Sequence, residues 1–475
     1  MTTSSNNVIP EAVKTVHLMG VCGTAMGALA CMLKQLGFWV TGSDENVYPP
    51  MSTFLKEKGI ALKPGFSKEN LFPPPDLVVV GNTITASNPE AAALRETGIP
   101  FCSMPQAVNR FLVSNKKALV VTGTHGKTTT ASLLAHVLFE TGLDPSFLIG
   151  GIVKNFQSNY LLGNGDWVVL EGDEYDTAYF DKGPKFLHYA PHVAILTSIE
   201  FDHADIFEDF AHVRRAFSDF VSRLSPETLL VACAEDLEVM RLADAREKGV
   251  RTYGRNEGAH WRLGRIRPAG MKTVFEPFNN GESLGLWEIP LVGNHNLLNT
   301  LSVLAAAAHL GIPADAVKAA LLTFQGVKRR QEIRGVKNGI VIMDDFAHHP
   351  TAVRETVAAL KGCFGNGRLI AVFEPRTNTS MRNVFQDVYP KAFDGADLIC
   401  IRKPPLLSKV PEHLRFSSEK LVTDLRARGK DAHYFEETDG IIEFLVKNSA
   451  PGDLVLIMSN GGFDNIHERL LERLG

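Results

Sequence analysis

Four short runs hold most of the residues whose types and spacing suit chemistry. The first is Thr122-Gly123-Thr124-His125-Gly126-Lys127-Thr128-Thr129. Glycines there let backbone N–H groups turn toward phosphate oxygens, and the helix expected over 129–140 would add a field that favours anions. Lys127 would reach the β- and γ-phosphates of a nucleotide and Thr128 a magnesium ion. Val121 stands where the common G-x-x-x-x-G-K-[ST] pattern has its first glycine, so the loop is a variant of that pattern; the competing reading is an incidental glycine turn. The second run, Glu171-Gly172-Asp173-Glu174-Tyr175-Asp176, places four carboxylates after apolar residues, where magnesium is commonly held, although a solvated acidic turn has the same composition. Further on, Glu200-Phe201-Asp202-His203 adds a histidine that is either an ordinary hydrogen-bonded side chain or a ligand. Magnesium's preference for oxygen weighs against the ligand.

The third run, Gly293-Asn294-His295-Asn296-Leu297-Leu298-Asn299, offers amides that pair donor and acceptor as an adenine edge requires, or that cap a helix. The fourth, Asp344-Asp345-Phe346-Ala347-His348-His349-Pro350, has zinc-like residue types. Consecutive side chains diverge, however, so a polar loop facing a nucleotide is the better reading.

These runs need strands behind them and helices after them. Thr15–Met19 is apolar and runs into Gly20, Gly23 and Gly27, with a helical pattern over 25–36; apolar runs at 38–40 and 76–80 end in polar or glycine residues. Strands alternating with helices predict a parallel α/β sheet for residues 1–113. A new strand at 118–121 opens a central domain, 114–328, with buried strands at 167–170 and 193–197 and an alanine-rich helix over 297–310. Beyond Arg330, strand-like runs at 340–343, 369–373, 397–401 and 454–458 predict a third α/β domain, 329–475.

Composition bounds the partners. The 475 residues exceed what one core usually holds, and 45% hydrophobic with 21% charged residues is ordinary for a globular chain. A net charge of −4 without a basic block leaves no footprint for nucleic acid. Six scattered cysteines without a C-x-x-C pair fit a reducing cytoplasm, the start lacks a signal-peptide pattern, and no apolar stretch is long enough to span a membrane.

Taken in order, Gly-Thr-His-Gly-Lys-Thr-Thr, Glu-Gly-Asp-Glu, Gly-Asn-His-Asn-x-x-Asn, Arg329-Arg330 and Asp-Asp-Phe-x-His-His-Pro resemble the Mur ligase family across almost the whole chain. The resemblance implies a Rossmann-like N-terminal domain, a P-loop central ATPase domain and a Rossmann-like C-terminal domain. It implies ATP and Mg2+ as cofactors, and an acyl phosphate formed on a UDP-linked muramyl carboxylate and displaced by an amine. Carried over by residue, it implies catalytic roles for Lys127, Glu174, His203, Asn296 and Arg330. It implies nucleotide contacts from Gly123 to Thr129 and at Asn296, Asn299, Arg330 and Asp345, and metal contacts at Thr128, Glu174 and His203. Gly20, Gly23, Thr24, Gly27, Ser43, Asp44 and the Ser87-Asn88-Pro89-Glu90 run resemble the branch that takes UDP-N-acetylmuramate as acceptor.

Within that branch, the turn at 46–52 and the Tyr175–Lys185 insertion point to the murein tripeptide L-Ala-γ-D-Glu-meso-diaminopimelate as the amine, with L-alanine as the alternative. A tripeptide carries several carboxylates, and Arg376 or Arg382 is the expected clamp; a plain surface arginine pair is the rival reading. Two readings from other classes stand beside this one. A nicotinamide-dependent oxidoreductase would use the Gly20 turn, but that turn lacks G-x-G-x-x-G spacing, and the Gly-Lys-Thr loop would go unexplained. A nucleotide-controlled binding protein would use the P-loop as a switch. The sequence leaves the oligomeric state open.

Overall fold

The computed structural model describes residues 6–48, 51–364 and 367–475. Pro49 and Pro50 of the 46–52 turn therefore lie outside the described residues. The chain divides into two compact units. One comprises Met1–Ile199, Ala211–Tyr253 and Ser302–Ala320; the other comprises Glu200–Phe210, Gly254–Leu301 and Leu321–Gly475.

The first unit carries two sheets. Five parallel strands lie in the spatial order Ala61–Pro64, Trp39–Asp44, Thr15–Met19, Leu77–Val80, Phe101–Ser103. The order reverses between the strands Thr15–Met19 and Leu77–Val80, and such a switch point opens a crevice at the carboxyl ends of the strands. The strand expected to end at Val40 continues through Thr41-Gly42-Ser43-Asp44. Glycine makes this possible: a Cβ at Gly42 would come within 2.7 Å of the Val21 side chain.

In the second sheet of this unit the strands Leu229–Cys233, Pro191–Leu196, Lys117–Thr122 and Trp167–Gly172 are parallel neighbours, continued by Ser146–Val153 and the antiparallel Ser158–Leu161. The helix Lys127–Glu140 follows the Lys117–Thr122 strand, and its residues 128–138 are all buried. The insertion at 175–185 forms a small antiparallel hairpin, Asp176–Ala178 with Asp181–Pro184. Its tip residues Tyr179 and Phe180 pack on the apolar cluster of the five-stranded sheet, with Phe180 edge-on to Phe101 at 5.0 Å.

The second unit is built on six strands in the order Glu332–Lys337, Ile340–Asp345, Leu454–Met458, Leu369–Phe373, Leu398–Arg402, Asp431–Phe435, parallel except for the first pair. Leu454, Leu456 and Met458 face one apolar cluster, which includes Val353, Val357, Leu421 and Leu425 from the helices Pro350–Lys361 and Ser418–Ala427. Val455 and Ile457 face another, with Ile441, Leu445, Ile466 and Leu470 from the helices Thr438–Asn448 and Ile466–Arg473. Burial on both faces explains why these strands read as continuous apolar runs. A meander of antiparallel strands between Trp261 and Ile289 completes the unit. Among the described residues no helix is long and apolar enough to cross a membrane.

Candidate functional site

A cavity of about 310 Å3 opens at the switch point of the five-stranded sheet, and Gly20, Asp44, Phe66, Thr83 and Asn88 are among the residues that line it. Gly20, at φ +82, makes the turn out of its strand, and its N–H and that of Val21 donate to the Ser43 carbonyl. Asp44 ties the turn down: its carboxylate accepts from Cys22 N at 2.9 Å and from Asn46 N at 3.0 Å. Gly23 and Thr24 stand exposed at the start of the helix Thr24–Gln35, which has no side-chain cap.

Two of the expected contacts here need correction. Ser43 is fully buried, with its hydroxyl donating to Glu90 Oε1 at 2.9 Å, so it braces the rim from inside. Gly27 is a packing glycine, since a Cβ there would lie 3.2 Å from the Val21 carbonyl oxygen and 3.4 Å from Met51 Sδ. Glu90 is likewise buried within this network.

In the second sheet, the Lys117–Thr122 strand delivers Gly123 at φ +127. A Cβ there would overlap Thr197 Oγ1 and come within 2.8 Å of Ser198 N. That neighbouring strand end seats the loop. Thr124 N and His125 N donate to the carbonyl and the hydroxyl of Ser198, at 2.9 and 3.0 Å, and Thr197 donates to the His125 carbonyl. Gly126, at φ +79, turns the chain into the helix that starts with Lys127. The Lys127 ammonium lies 2.6 and 2.9 Å from the two Glu174 oxygens and 2.7 Å from the Gly123 carbonyl. The Thr128 hydroxyl donates to Glu171 at 2.9 Å.

Burial alone would depress the Lys127 pKa, but Glu174, Asp173 and Glu171 outweigh it and hold the ammonium above its ordinary range. Burial pushes Glu171 up, against the pull of Lys127. The structure divides the four carboxylates of the acidic run. Glu171 and Glu174 meet the loop, Asp173 pairs with Lys185 at 3.0 Å, and Asp176 turns away to Lys182 at 3.1 Å. A hydroxyl and two carboxylates are the hard oxygen donors that magnesium takes.

The remaining expected residues belong to the second unit. His203 sits at φ +55 and donates its N–H to Asp202 Oδ1 at 2.7 Å. Burial would raise Asp202, yet the His348 hydrogen bond and the nearby His203, His348 and His349 rings hold it well below the usual carboxylate range. His348 is oriented from behind, its Nδ1 2.9 Å from the Phe346 carbonyl. His349 caps the helix Pro350–Lys361, accepting from Thr351 N, and reaches the Phe201 carbonyl with its other nitrogen at 3.2 Å.

Asn296 is buried and already committed: its amide donates to the Val292 carbonyl at 2.8 Å, and its oxygen lies 3.4 Å from the Asn299 amide. It braces the start of the helix Asn294–His309, so a free amide edge is not what the fold presents. Asp345 accepts from Gln331 N and Ala347 N, both at 2.8 Å, and burial raises it against the pull of Arg330. Arg330 lies over the Phe346 ring at 4.8 Å. Arg329, at φ +62, binds the carbonyls of Ser459 and Gly461 and so locks the segment that presents Arg330. Arg376 runs across the Gly461 backbone, 3.6 Å from the buried Glu374. The Arg382 Nε is buried without a hydrogen bond among the described residues.

Motif reading had no signal for the seat made by Thr197 and Ser198 or for His17; it named Glu90 within the Ser87–Glu90 run and Lys185 at the end of the 175–185 insertion, but not the buried bonds they make. Each acts through spatial neighbours on other strands.

Models described as Mur ligase family, catalytic domain; Mur ligase middle domain; and Mur ligase, glutamate ligase domain match residues 15–115, 121–307 and 329–461. The UDP-N-acetylmuramate–L-alanyl-γ-D-glutamyl-meso-2,6-diaminoheptandioate ligase of Escherichia coli strain K12 is 40% identical over 97% of this chain and 98% of its own. A UDP-N-acetylmuramate–L-alanine ligase of Polaromonas sp. is 34% identical over 98% of this chain and 99% of its own. The crystal structure of a murein peptide ligase from Psychrobacter arcticus superposes with a TM-score of 0.71 at 33% identity, covering 97% of this chain and 99% of that one. With three matched domains and whole-length relatives, the chain belongs to the Mur ligase family, with a Rossmann-like N-terminal domain, a P-loop central domain and a Rossmann-like C-terminal domain.

Proposed function

We propose that the chain joins UDP-N-acetylmuramate to L-Ala-γ-D-Glu-meso-diaminopimelate in an ATP-dependent reaction that releases ADP and phosphate and returns wall peptide to the cytoplasmic precursor pool. The observation that carries the chemistry is the pairing of Lys127 and Thr128 with Glu174 and Glu171 around a glycine loop. Supporting the tripeptide over alanine is the greater identity to the relative named for it, 40% against 34%. The domain boundaries proposed are 1–113, 114–328 and 329–475.

In this reading the N-terminal cavity takes the UDP group, which leaves the muramyl carboxylate to be activated. That carboxylate attacks the γ-phosphorus of ATP, the bond from the γ-phosphorus to the bridging oxygen breaks, and ADP leaves. The tripeptide's free amine then attacks the acyl carbon, phosphate departs with the carboxylate oxygen, and the amine nitrogen releases a proton to solvent. Lys127 leaves Glu174 for the γ-phosphate and offsets charge developing in the transition state, while the N–H groups of residues 126–128, at the start of the helix, hold the phosphates in line. Thr128 and the carboxylates of Glu171 and Glu174 would hold magnesium, which would supply Lewis acidity toward the phosphate oxygens. Arg376 or Arg382 receives a peptide carboxylate.

The test is phosphate release with ATP and UDP-N-acetylmuramate, comparing the tripeptide with L-alanine and identifying products by mass. Product with the tripeptide is expected. Product with alanine alone would move the protein to the single-amino-acid step, and product with neither would sink the reading.

A further inference from the structure

We infer that Glu90 is the positioning residue of the N-terminal cavity, one buried carboxylate that holds three rims of the site in register; this rests on the reading that the cavity takes a nucleoside diphosphate. The rims stand at the ends of three strands and are represented by Gly20, Asp44 and Phe66. Each belongs to a segment with a residue bonded to that carboxylate. Oε1 accepts from Ser43 Oγ, next to Asp44, at 2.9 Å, and lies 2.7 Å from Nε2 of His17, in the strand that ends before Gly20. Oε2 accepts from Ser67 N, next to Phe66, at 3.3 Å and from Asn70 Nδ2 at 2.7 Å. Separately, the backbone N–H of Glu90 donates to Asn88 Oδ1 at 3.0 Å, the cap that starts the helix Pro89–Thr97.

His17 is itself oriented, since its Nδ1 meets Thr41 Oγ1 at 2.7 Å on the strand that carries Ser43. The Asn70 amide also donates to the Gly65 carbonyl at 3.0 Å, so it holds both sides of Phe66. His17, Ser43 and Glu90 are all essentially inaccessible, which places the hub behind the cavity wall, where it can act on a ligand only through the rims. A carboxylate can accept about four hydrogen bonds, and this one has four donors within reach from three separate segments. Replacing its charge leaves buried donors competing for a weaker acceptor, and the rims lose their common anchor.

The experiment is titration of the full chain with UDP and with an ATP analogue, for the wild type and Glu90→Gln, together with steady-state kinetics. The expected result is UDP affinity about tenfold weaker and KM for UDP-N-acetylmuramate raised to match, with kcat and ATP-analogue affinity within about twofold of wild type. Should Glu90→Gln fail to fold, Ser43→Ala and Asn70→Ala each remove one arm, and each is expected to weaken UDP about threefold. A lowered melting temperature with unchanged UDP affinity in all these variants would assign Glu90 to stability alone and overturn the inference. A wild-type chain that binds no UDP would remove the cavity reading first, and this inference with it.

Discussion

Replacing Lys127 with methionine separates the two things this side chain does. Its ammonium is 11% exposed and the Glu174 carboxylate 4%, so solvent screens their pairing little. Removing one partner of such a pair leaves the other charge uncompensated and typically costs about 3–5 kcal/mol. Here Glu171 and Asp173 add like charge nearby. For a cooperative unit of about 200 residues, each kcal/mol moves the melting temperature about 2–4 °C, so a drop of roughly 10 °C is expected. The double variant Lys127→Met/Glu174→Gln no longer buries an unpaired carboxylate at that position and should recover most of the loss.

Activity should follow neither trend. Both variants are expected to lose at least about a thousandfold in rate, because the γ-phosphate has lost its cation. The folded-state pKa of Lys127 lies above its unfolded value of 10.5, so its contribution to stability is fully present below that value and fades only as pH rises through the folded one. The deficit of the single variant should therefore be flat between about pH 6 and 9. The assays are calorimetric melting across that range and phosphate release. A single variant that melts with the wild type would refute the pairing energetics, and a double variant that regains turnover would refute the phosphate role.

Other consequences are as direct. Gly123→Ala must relieve its overlap with Thr197 and Ser198 at a backbone angle that L-residues avoid, so ATP affinity should fall at least about a hundredfold; unchanged affinity in a nucleotide titration would show that the loop tolerates a side chain. His467 is buried beside Arg334, and burial first, then that arginine, push its pKa down to about 4 from 6.5. Because the folded value is depressed, the stability linked to neutral His467 is present above about pH 6.5 and lost as pH falls toward 4, about 3 kcal/mol in all. His467→Asn should flatten that part of a denaturant-midpoint profile, and an unaltered slope would contradict it. Arg376→Ala and Arg382→Ala are each assayed for tripeptide KM. A rise of about tenfold or more in at least one identifies the carboxylate clamp, and unchanged kinetics in both discard it.

Much of this protein was legible from local pattern. Thr15–Met19, Leu369–Phe373 and Leu454–Met458 form strands where their apolar runs stand, because a strand covered on both faces is apolar throughout, and that signature is local. The P-loop was legible for a similar reason: strand, glycine turn, lysine and helix follow one another directly in the chain, and the geometry they need is mostly their own. The antiparallel strands between Trp261 and Ile289 escaped notice because their stability comes from cross-strand partners.

The division of labour among polar residues belonged to the tertiary structure alone. Four carboxylates in one acidic run look equivalent in sequence. Folding sends Glu171 and Glu174 to the loop, gives Asp173 to Lys185 and turns Asp176 into a hairpin. Ser43 by resemblance and Asn296 by type read as ligand contacts, yet both are buried with their polar atoms already bonded. Glu90 meets donors from positions 17, 43, 67 and 70. A hydrogen bond depends on where a partner lies in space, and strands brought side by side by crossover connections supply partners that no spacing along the chain encodes.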